Sequence, residues 1–232
     1  MKPLLIFGSG MIADVVSHYC KECFGYTVHA YMVERKFYRP NVFIGSIPVV
    51  EFSEALEKYR PADYYCFVAV GYHNLNRERA RILSLVKQSG FETINLIAPD
   101  SGYSEGRFLV EGTNNLVMPG VDLHPEVSLG SNNFVWNGVM IGHHSNVGNH
   151  NWLASGTSLG GRVSVADNCF FGIDCSILDK VRVDDHTLIG ARALITKSTD
   201  SNAVYITEPT QKFRLNSDQF LKFSSFDPAN EP

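Results

Sequence analysis

The sequence lacks any excess of positive charge. Its 232 residues contain 20 lysines and arginines against 24 aspartates and glutamates, a formal net charge of −4. The sequence pI of about 6.0 agrees with this balance. Because proteins that bind nucleic acid usually present a basic surface, the composition argues against a nucleic-acid partner.

Long apolar segments are also missing. No apolar run approaches the roughly 20 residues that a membrane-spanning helix needs. The opening residues, MKPLLIFGSGMIADVV, are interrupted by glycine and do not have the pattern of a signal peptide. We therefore expect a cytoplasmic protein with no membrane partner.

The sequence contains few cysteines, and their number is odd. The five are Cys20, Cys23, Cys66, Cys169 and Cys175. An odd count without a signal peptide favours free thiols. Cys20 and Cys23 form a C-x-x-C motif, which is found in zinc sites and in redox pairs. No second pair completes a zinc site and the motif lies at the end of a predicted helix, so we interpret both cysteines as structural.

A six-residue period is the strongest feature that is present. Between residues 117 and 195 every sixth residue is apolar, fourteen positions in succession. With 44% hydrophobic residues, such a run has a chance probability of roughly one in a hundred thousand. The fourteen are Val117, Leu123, Leu129, Val135, Ile141, Val147, Leu153, Leu159, Val165, Phe171, Ile177, Val183, Ile189 and Ile195.

A period of six fits neither an α-helix nor a single β-strand. It is typical of short strands joined by tight turns, with one large side chain per edge pointing inward. Three hexapeptides then complete one triangular coil, and stacked coils build a continuous core. We expect a parallel β-helix, with a β-sandwich as the alternative.

The first hundred residues have a different pattern. An apolar run ends in Gly8-Ser9-Gly10 and is followed by apolar residues at helical spacing, which makes the G-x-G-x-x-A motif meaningful. Further on, we predict strands at 27–32, 64–70 and 92–97 and helices at 53–59 and 75–88. This alternation favours a parallel sheet covered by helices on both sides.

Ligands of such sheets bind at the carboxyl ends of the strands. We expect three loops to meet there: Gly8–Ile12, Glu34–Arg35 and Gly71–Arg77. One interpretation is a nicotinamide dinucleotide site with Glu34 on a ribose hydroxyl. The small size of the domain, about half of a full dinucleotide-binding fold, argues against it. A vestigial domain with only a structural role is a further alternative.

With these two patterns together, residues 3–200 resemble the two-domain bacterial sugar O- and N-acyltransferases of the sialic-acid and bacillosamine pathways. The resemblance implies a small Rossmann-like N-terminal domain followed by a left-handed parallel β-helix of hexapeptide repeats. We expect the domains to span 1–100 and 101–205, with a C-terminal tail at 206–232.

In that family the small domain holds the nucleotide of a sugar nucleotide, through the glycine turn and polar residues after the second strand. A cluster of glycine, asparagine and arginine faces the same site. Asparagine at a helix start is also a favoured N-cap, so capping is the alternative role for Asn74 and Asn76. The matching positions are Gly8, Ser9, Gly10, Glu34, Arg35, Asn74 and Arg77.

Residues 135–148, VWNGVMIGHHSNVG, are the densest group of candidate catalytic residues. Acyl transfer needs a base that accepts a proton from the attacking group, and histidine is the usual choice. His143 and Asn137 occupy the same hexapeptide position in successive edges. In the resembled family a histidine in this phase is the proposed base, and His143 matches it. There an acidic residue follows; here His144 does, and His144 is the alternative base.

Adjacent histidines also suggest metal. A sister family, the γ-type carbonic anhydrases, binds zinc through three histidines shared between subunits. The third histidine is not at the required spacing here, because His150 lies six residues after His144. We therefore expect no metal, and we expect His124, His150 and His186 to be solvated surface residues.

The resembled family binds acetyl-CoA in the groove between neighbouring β-helices of a homotrimer. The matching positions are Trp152, Gly161, Ile173 and Ala191. Trp152 could shape the acyl pocket or pack in the trimer. Backbone amides at Gly160 and Gly161 could polarise the thioester carbonyl as an oxyanion hole.

The resemblance therefore implies an acetyl-CoA-dependent acetyltransferase that acts on an amino or hydroxyl group of a nucleotide-linked sugar, for surface polysaccharide (lipopolysaccharide or O-antigen) synthesis. The alternatives are a non-catalytic nucleotide-sugar-binding protein and a zinc lyase of the γ-carbonic-anhydrase type. The sugar and the choice between nitrogen and oxygen as acceptor stay open.

Overall fold

The computed structural model of the chain describes residues 2–101, 106 and 108–222. In its N-terminal part, strands alternate with helices as predicted. The elements are β1 (Leu4–Phe7), α1 (Met11–Tyr19), β2 (Val28–Val33), β3 (Phe43–Ile44), β4 (Ile47–Glu51), α2 (Phe52–Lys58), β5 (Tyr65–Val68), α3 (Arg77–Gln88) and β6 (Glu92–Thr93). A π-helical turn at Cys20–Phe24 extends α1.

These strands form one six-stranded sheet in the order β3-β4-β2-β1-β5-β6. All neighbours are parallel except β3 and β4, an antiparallel hairpin that the sequence did not predict. Because β1 lies between β2 and β5, the carboxyl ends of these three strands share one edge of the sheet. The loops that follow them therefore meet, as expected.

The prediction of one strand over 92–97 is wrong. Residues Glu92–Thr93 pair with β5, whereas β7 (Leu96–Ile97) pairs with β9 (Leu116–Val117) in the second part of the chain. The Asn95 side chain accepts a hydrogen bond from the Asn115 backbone N–H at 2.8 Å, and this contact lies between the two strands.

The second part of the chain is a stack of short strands. After β7 and β9 these are β8 (Phe108–Val110), β10 (Asp122–Leu123), β11 (Val127–Leu129), β12 (Phe134–Val135), β13 (Met140–Ile141), β14 (Asn146–Val147), β15 (Trp152–Leu153), β16 (Ser158–Leu159), β17 (Ser164–Val165), β18 (Phe170–Phe171), β19 (Ser176–Ile177), β20 (Arg182–Val183), β21 (Leu188–Ile189), β22 (Leu194–Ile195) and β23 (Val204–Tyr205). A short helix, α4 (Ser217–Leu221), follows.

The strands build three parallel sheets: β10-β13-β16-β19-β22, β20-β17-β14-β11-β8 and β23-β21-β18-β15-β12-β9-β7. Paired residues such as Met140 and Ser158 are three hexapeptides apart, so each coil has three sides. All fourteen periodic apolar residues are buried. The predicted parallel β-helix of hexapeptide repeats is confirmed.

Three columns of turns form the corners of this prism. The His143 corner contains residues 142–145, 160–163 and 178–181. The Ile173 corner contains residues 136–139, 154–157, 172–175 and 190–193. The third, the Asn151 corner, contains residues 130–133, 148–151 and 166–169 and holds a ladder of buried amides; there the Asn133 side chain accepts from the Asn151 backbone N–H at 2.9 Å.

The α/β part packs on the seven-stranded sheet and on the Asn151 corner. Phe67 of β5 stacks on Phe134 of β12 with ring centres 5.8 Å apart. Asn114 in the β-helix accepts a hydrogen bond from the Val68 N–H at 2.7 Å. The two parts thus share one apolar core. In the described part of the chain, no helix is both long and apolar enough to cross a membrane.

Candidate functional site

The glycine turn after β1 lies against the loop that follows β5. Gly8 has φ +123, and a Cβ on it would lie 2.8 Å from the Ala69 carbonyl oxygen, so no other residue fits without a shift of the backbone. Ser9 follows, and Gly10 precedes α1 with open space around its Cα. The turn therefore brings bare backbone to the sheet edge, as binding of a phosphate group requires.

Glu34 is already engaged by basic side chains. Arg81 of α3 donates two hydrogen bonds to its carboxylate, at 3.1 and 2.7 Å, and Lys36 lies 3.3 Å away. These hydrogen bonds, chiefly those from Arg81, lower the pKa of Glu34. Arg35 is exposed at the start of a 3-10 turn. A ribose hydroxyl would share the Glu34 carboxylate with Arg81.

The loop after β5 has a strained backbone. Asn74, Leu75 and Asn76 all have positive φ, at 52, 50 and 64°. Three such residues in succession, one of them leucine, are uncommon and point to a site that requires this conformation. Arg77 is exposed as the first residue of α3.

The capping role expected for Asn76 is wrong. Its side chain makes no cap hydrogen bond and instead donates to the Cys169 carbonyl at 3.0 Å, across to the Asn151 corner. Its Oδ1 accepts from Arg79 at 3.0 Å. Asn76 therefore fixes the strained loop to the β-helix rather than to its own helix.

Arg79 was not singled out in the sequence. Its side chain is fully buried and donates to the carbonyls of Asn132, His150 and Asn151, each at 3.2 Å. Burial lowers the pKa of Arg79 to about 9, which leaves it charged at neutral pH. A signal was present, because Arg79 lies on the apolar stripe of α3, three and four residues before buried Ile82 and Leu83.

Trp152 is buried within its own chain. It is 4% exposed and packs under the α/β part of its own chain, with its ring centre 4.9 Å from that of Tyr72 and 5.5 Å from that of Phe134. Tyr72 is 51% exposed in the loop after β5. Trp152 therefore supports this loop from below, beside the glycine turn.

The two adjacent histidines lie at the surface of the His143 corner. Their Nδ1 atoms are 3.1 Å apart, and the ring planes are nearly perpendicular at 88°. The Arg162 N–H donates to the His143 carbonyl at 2.8 Å, and the His144 N–H donates to the Pro125 carbonyl at 3.1 Å. The coils before and after therefore hold this turn in place.

Gly161 lies directly beside the His143 ring. A Cβ on Gly161 would be 2.8 Å from Nε2 of His143, so the glycine leaves the space next to this nitrogen open. The oxyanion-hole expectation is wrong, however. The Gly161 N–H donates to Asp179 Oδ1 at 2.8 Å and the Gly160 N–H to the Ile177 carbonyl at 2.9 Å, so both are occupied.

The other predicted residues lie at the Ile173 corner. Asn137 donates to the Pro119 carbonyl at 2.7 Å, and Ile173 is 56% exposed although it is apolar. Ala191 is exposed one coil further on. Within one chain these three residues are separated from His143 and Gly161 by the sheet that contains β13 and β16.

The surroundings of His124 and His150 differ. His124 is half-exposed, and its ring lies 3.2 Å from the Asp122 carboxylate. His150 is half-buried, which corrects the expectation of a solvated residue: Asn132 donates to its Nδ1 at 2.8 Å, and burial and the nearby Arg79 charge lower its pKa. Among the residues that the structure describes, no group of three His, Cys, Asp or Glu side chains is placed to hold a metal ion.

No protein-family model matches the sequence. No curated protein matches it either.

Three solved structures each align with 88% of this chain. PerB from Caulobacter crescentus, determined in complex with CoA and GDP-perosamine, is 25% identical, with 93% of its own length covered and a TM-score of 0.73. The acetyltransferase domain of PglB from Neisseria gonorrhoeae is 20% identical, with 96% covered and a TM-score of 0.73. WeeI from Acinetobacter baumannii is 16% identical, with 96% covered and a TM-score of 0.74.

These matches cover the α/β part and the β-helix in one superposition, so they test the whole architecture and not the repeat alone. The resemblance predicted from the hexapeptide period and the glycine turn is confirmed: the chain has the fold of the hexapeptide-repeat sugar acetyltransferases.

Proposed function

We propose that the protein is an acetyl-CoA-dependent acetyltransferase that acetylates an amino or hydroxyl group of a nucleotide-linked sugar. The observation that carries the proposal is the His143 ring, which is exposed at a corner of the β-helix with Nε2 beside the open space at Gly161. The similarity to PerB, solved with CoA and GDP-perosamine, supports both substrates.

In this proposal the acceptor attacks the thioester directly. The lone pair of the sugar nitrogen or oxygen forms a bond to the acetyl carbonyl carbon, and Nε2 of His143 takes the proton that the acceptor loses. The carbon–sulfur bond then breaks, and the CoA sulfur leaves and takes up a proton. No covalent enzyme intermediate is invoked, since the residues of the His143 corner contain no cysteine.

The α/β part is the proposed sugar-nucleotide domain, Rossmann-like in its use of a glycine turn. Gly8 and Gly10 would approach the phosphates, while Met11 and Tyr72 offer exposed apolar surface beside the same turn. Glu34 and Arg35, after β2, would contact the nucleoside. The pairing of β7 with β9 supports a junction with the left-handed β-helix near residue 95, slightly before the predicted boundary at 100.

A homotrimer is part of the proposal. His143 and Gly161 lie on one corner of the prism, and Asn137, Ile173 and Ala191 on another, so a groove that uses both sets needs two chains. Cyclic assemblies with head-to-tail contacts bring different surfaces of identical subunits together. The exposed Ile173 side chain would contact the partner subunit or the pantetheine arm of acetyl-CoA.

The direct test is thiol release from acetyl-CoA with a panel of UDP-, dTDP- and GDP-linked 3-amino and 4-amino sugars, read together with the mass of the product. Acetyl transfer to one of them, lost by about 100-fold or more in His143→Ala, is the expected result. His124→Ala is the matched control, because it removes a surface histidine one coil earlier.

Other outcomes point elsewhere. Sugar-nucleotide binding without thiol release from acetyl-CoA or longer acyl-CoA donors, including with hydroxyl acceptors, would indicate a non-catalytic binding protein. Activity of His143→Ala within about threefold of the wild type would remove His143 from the mechanism.

A further inference from the structure

We propose that His144 is the positioning residue of His143, and that its neutral ring accepts a hydrogen bond from Nδ1–H of His143. This inference rests on the proposed function, in which His143 is the base. The evidence is the contact of the two Nδ1 atoms at 3.1 Å, with ring centres 5.2 Å apart.

Two facing Nδ1 atoms at this distance need one proton between them. Two lone pairs would repel each other, and two N–H groups would collide, so one ring must donate and the other must accept. If His143 donates from Nδ1, its Nε2 carries the lone pair that a base requires. If His143 accepts, its Nε2 carries a proton and cannot act as the base. Only the first arrangement is compatible with catalysis by His143.

The backbone holds His144 in the position that this contact requires. His144 has φ 59, in the left-handed region, and its N–H is bound to the preceding coil. The same turn position has positive φ in Glu126, Arg162 and Lys180, one coil before and one and two coils after. The orientation of His144 is therefore set by the repeat itself.

An imidazole partner behaves differently from a carboxylate partner. A carboxylate still accepts a hydrogen bond at pH 5, whereas a protonated imidazole has no lone pair left. If His144 is protonated, two N–H groups face each other and His143 loses its orientation. The contact between His143 and His144 therefore requires a neutral His144 ring, and a side-chain oxygen at position 144 could accept in its place.

Several other charged groups lie near the rings of His143 and His144. Glu126 and Arg162 occupy the turn position of His144 in the coils before and after, and Asp179 accepts from the Gly161 N–H. His124 lies on the preceding coil, paired with Asp122. None of these described side chains makes a hydrogen bond to either ring, so His144 is the group that can orient His143.

The first test is the pH dependence of kcat/KM between pH 5 and 9. In addition to this profile, kcat and KM are compared at neutral pH for variants of His144. His144→Phe should lose at least tenfold in kcat with little change in KM, because a phenyl ring cannot accept the Nδ1–H of His143. His144→Asn and His144→Asp should keep most of the wild-type kcat and its pH profile, because a side-chain oxygen accepts in place of the imidazole. His124→Asn, the control, should change neither kcat nor KM.

A His144→Phe variant with kcat within about threefold of the wild type would overturn the inference, as would a His144→Asn variant as impaired as His144→Phe. Absence of acetyl transfer by the wild type would defeat the proposed function instead.

The second test needs no substrate. In ¹⁵N-histidine-labelled protein at neutral pH, His143 should be the Nδ1–H tautomer and His144 the Nε2–H tautomer, with signals assigned from His143→Asn and His144→Asn. If both rings are Nε2–H tautomers, the inference is wrong whatever the enzyme does.

Discussion

The guanidinium carbon of Arg79 lies 4.4 Å from the centre of the Phe134 ring. Arg79 belongs to α3 in the α/β part, and Phe134 belongs to β12 on the outer face of the β-helix. The charge is buried, and its hydrogen-bond acceptors in the β-helix are the backbone carbonyls of Asn132, His150 and Asn151. One side chain thus connects the two parts of the molecule through both the ring and the carbonyls.

Arg79→Met should therefore destabilise the protein strongly. The substitution keeps an apolar stem but removes the donor to the carbonyls of Asn132 and His150, at about 1–3 kcal/mol each before the structure relaxes, whereas the Asn151 carbonyl keeps the Phe134 N–H at 2.9 Å. We expect a loss of about 3 kcal/mol or more in the free energy of unfolding, measured by urea denaturation with circular dichroism. Arg79→Lys should also destabilise, since an ammonium group cannot reproduce the planar set of donors.

The control is Arg81→Met, two residues along the same helix. Arg81 is largely exposed in its ion pairs with Glu34 and Glu78, and exposed pairs contribute roughly 0–1 kcal/mol. If Arg79→Met were as stable as Arg81→Met, the proposed role of the buried guanidinium in joining the two parts would be wrong.

His150→Asn should remove a pH dependence of stability. The folded protein holds the pKa of His150 below its usual value, because the ring is buried and lies near Arg79. Between that lowered pKa and about 6.5, the unfolded chain binds a proton that the folded protein does not. The contribution of His150 to the free energy of unfolding is therefore fully present above about pH 6.5 and is lost as the pH falls through this window.

Asparagine suits this position, because its side chain can accept from Asn132 and it tolerates the positive φ of His150. We expect the variant to lie within about 1 kcal/mol of the wild type at pH 7.5 and to lose less stability than the wild type between pH 7.5 and pH 5. Urea denaturation at both pH values measures the difference. Parallel curves for the two proteins would contradict the prediction.

The parts of the fold that the sequence predicts are those set by local spacing. The inward residues of the β-helix, such as Ile141 and Leu159, recur at a fixed interval, and each turn repeats the same geometry. The glycine turn could also be predicted, because the positive φ and the close approach of the Ala69 carbonyl at position 8 require glycine. In both cases the evidence for the structure lies within a few residues of the chain.

The contacts between the two parts were missed because their partners are far apart in sequence. Arg79 binds a carbonyl 53 residues away, and Asn76 binds one 93 residues away. Hydrophobic periodicity carries no information about such pairings. The burial of Trp152 could not be predicted for the same reason, since the ring that covers it, Tyr72, belongs to the other part of the chain.

Gly161→Ala should reduce catalysis without unfolding the protein. The new methyl group would lie 2.8 Å from Nε2 of His143 and displace the exposed ring or fill the space where the acceptor must approach. We expect kcat/KM to fall by about tenfold or more, since a small misplacement of a reacting group costs 100-fold in favourable cases. The melting temperature should change little.

The matched control is Ser164→Ala, which makes a similarly small change at an exposed position of β17. Wild-type kcat/KM in Gly161→Ala would show that Nε2 of His143 does not face the reacting atoms.

Mixed trimers test whether the active site is shared between subunits. His143→Ala damages one corner of the β-helix, and Ile173→Asp damages the other, so each variant alone should be inactive. In a trimer that contains both, one groove has His143 from one chain and Ile173 from the next. Mixed trimers purified through two tags should therefore recover about a third of the wild-type activity.

The control mixture combines His143→Ala with Gly161→Trp. Both changes affect the same corner, so every groove stays defective and no activity should return. Light scattering must show that each parent is trimeric, and Ala191→Asp replaces Ile173→Asp if that variant does not assemble. Inactive mixtures of correctly assembled His143 and Ile173 variants would mean that each active site lies within a single chain. The Ile173 corner would then have to serve assembly or another ligand, because the sheet between the corners keeps it away from His143 in one chain.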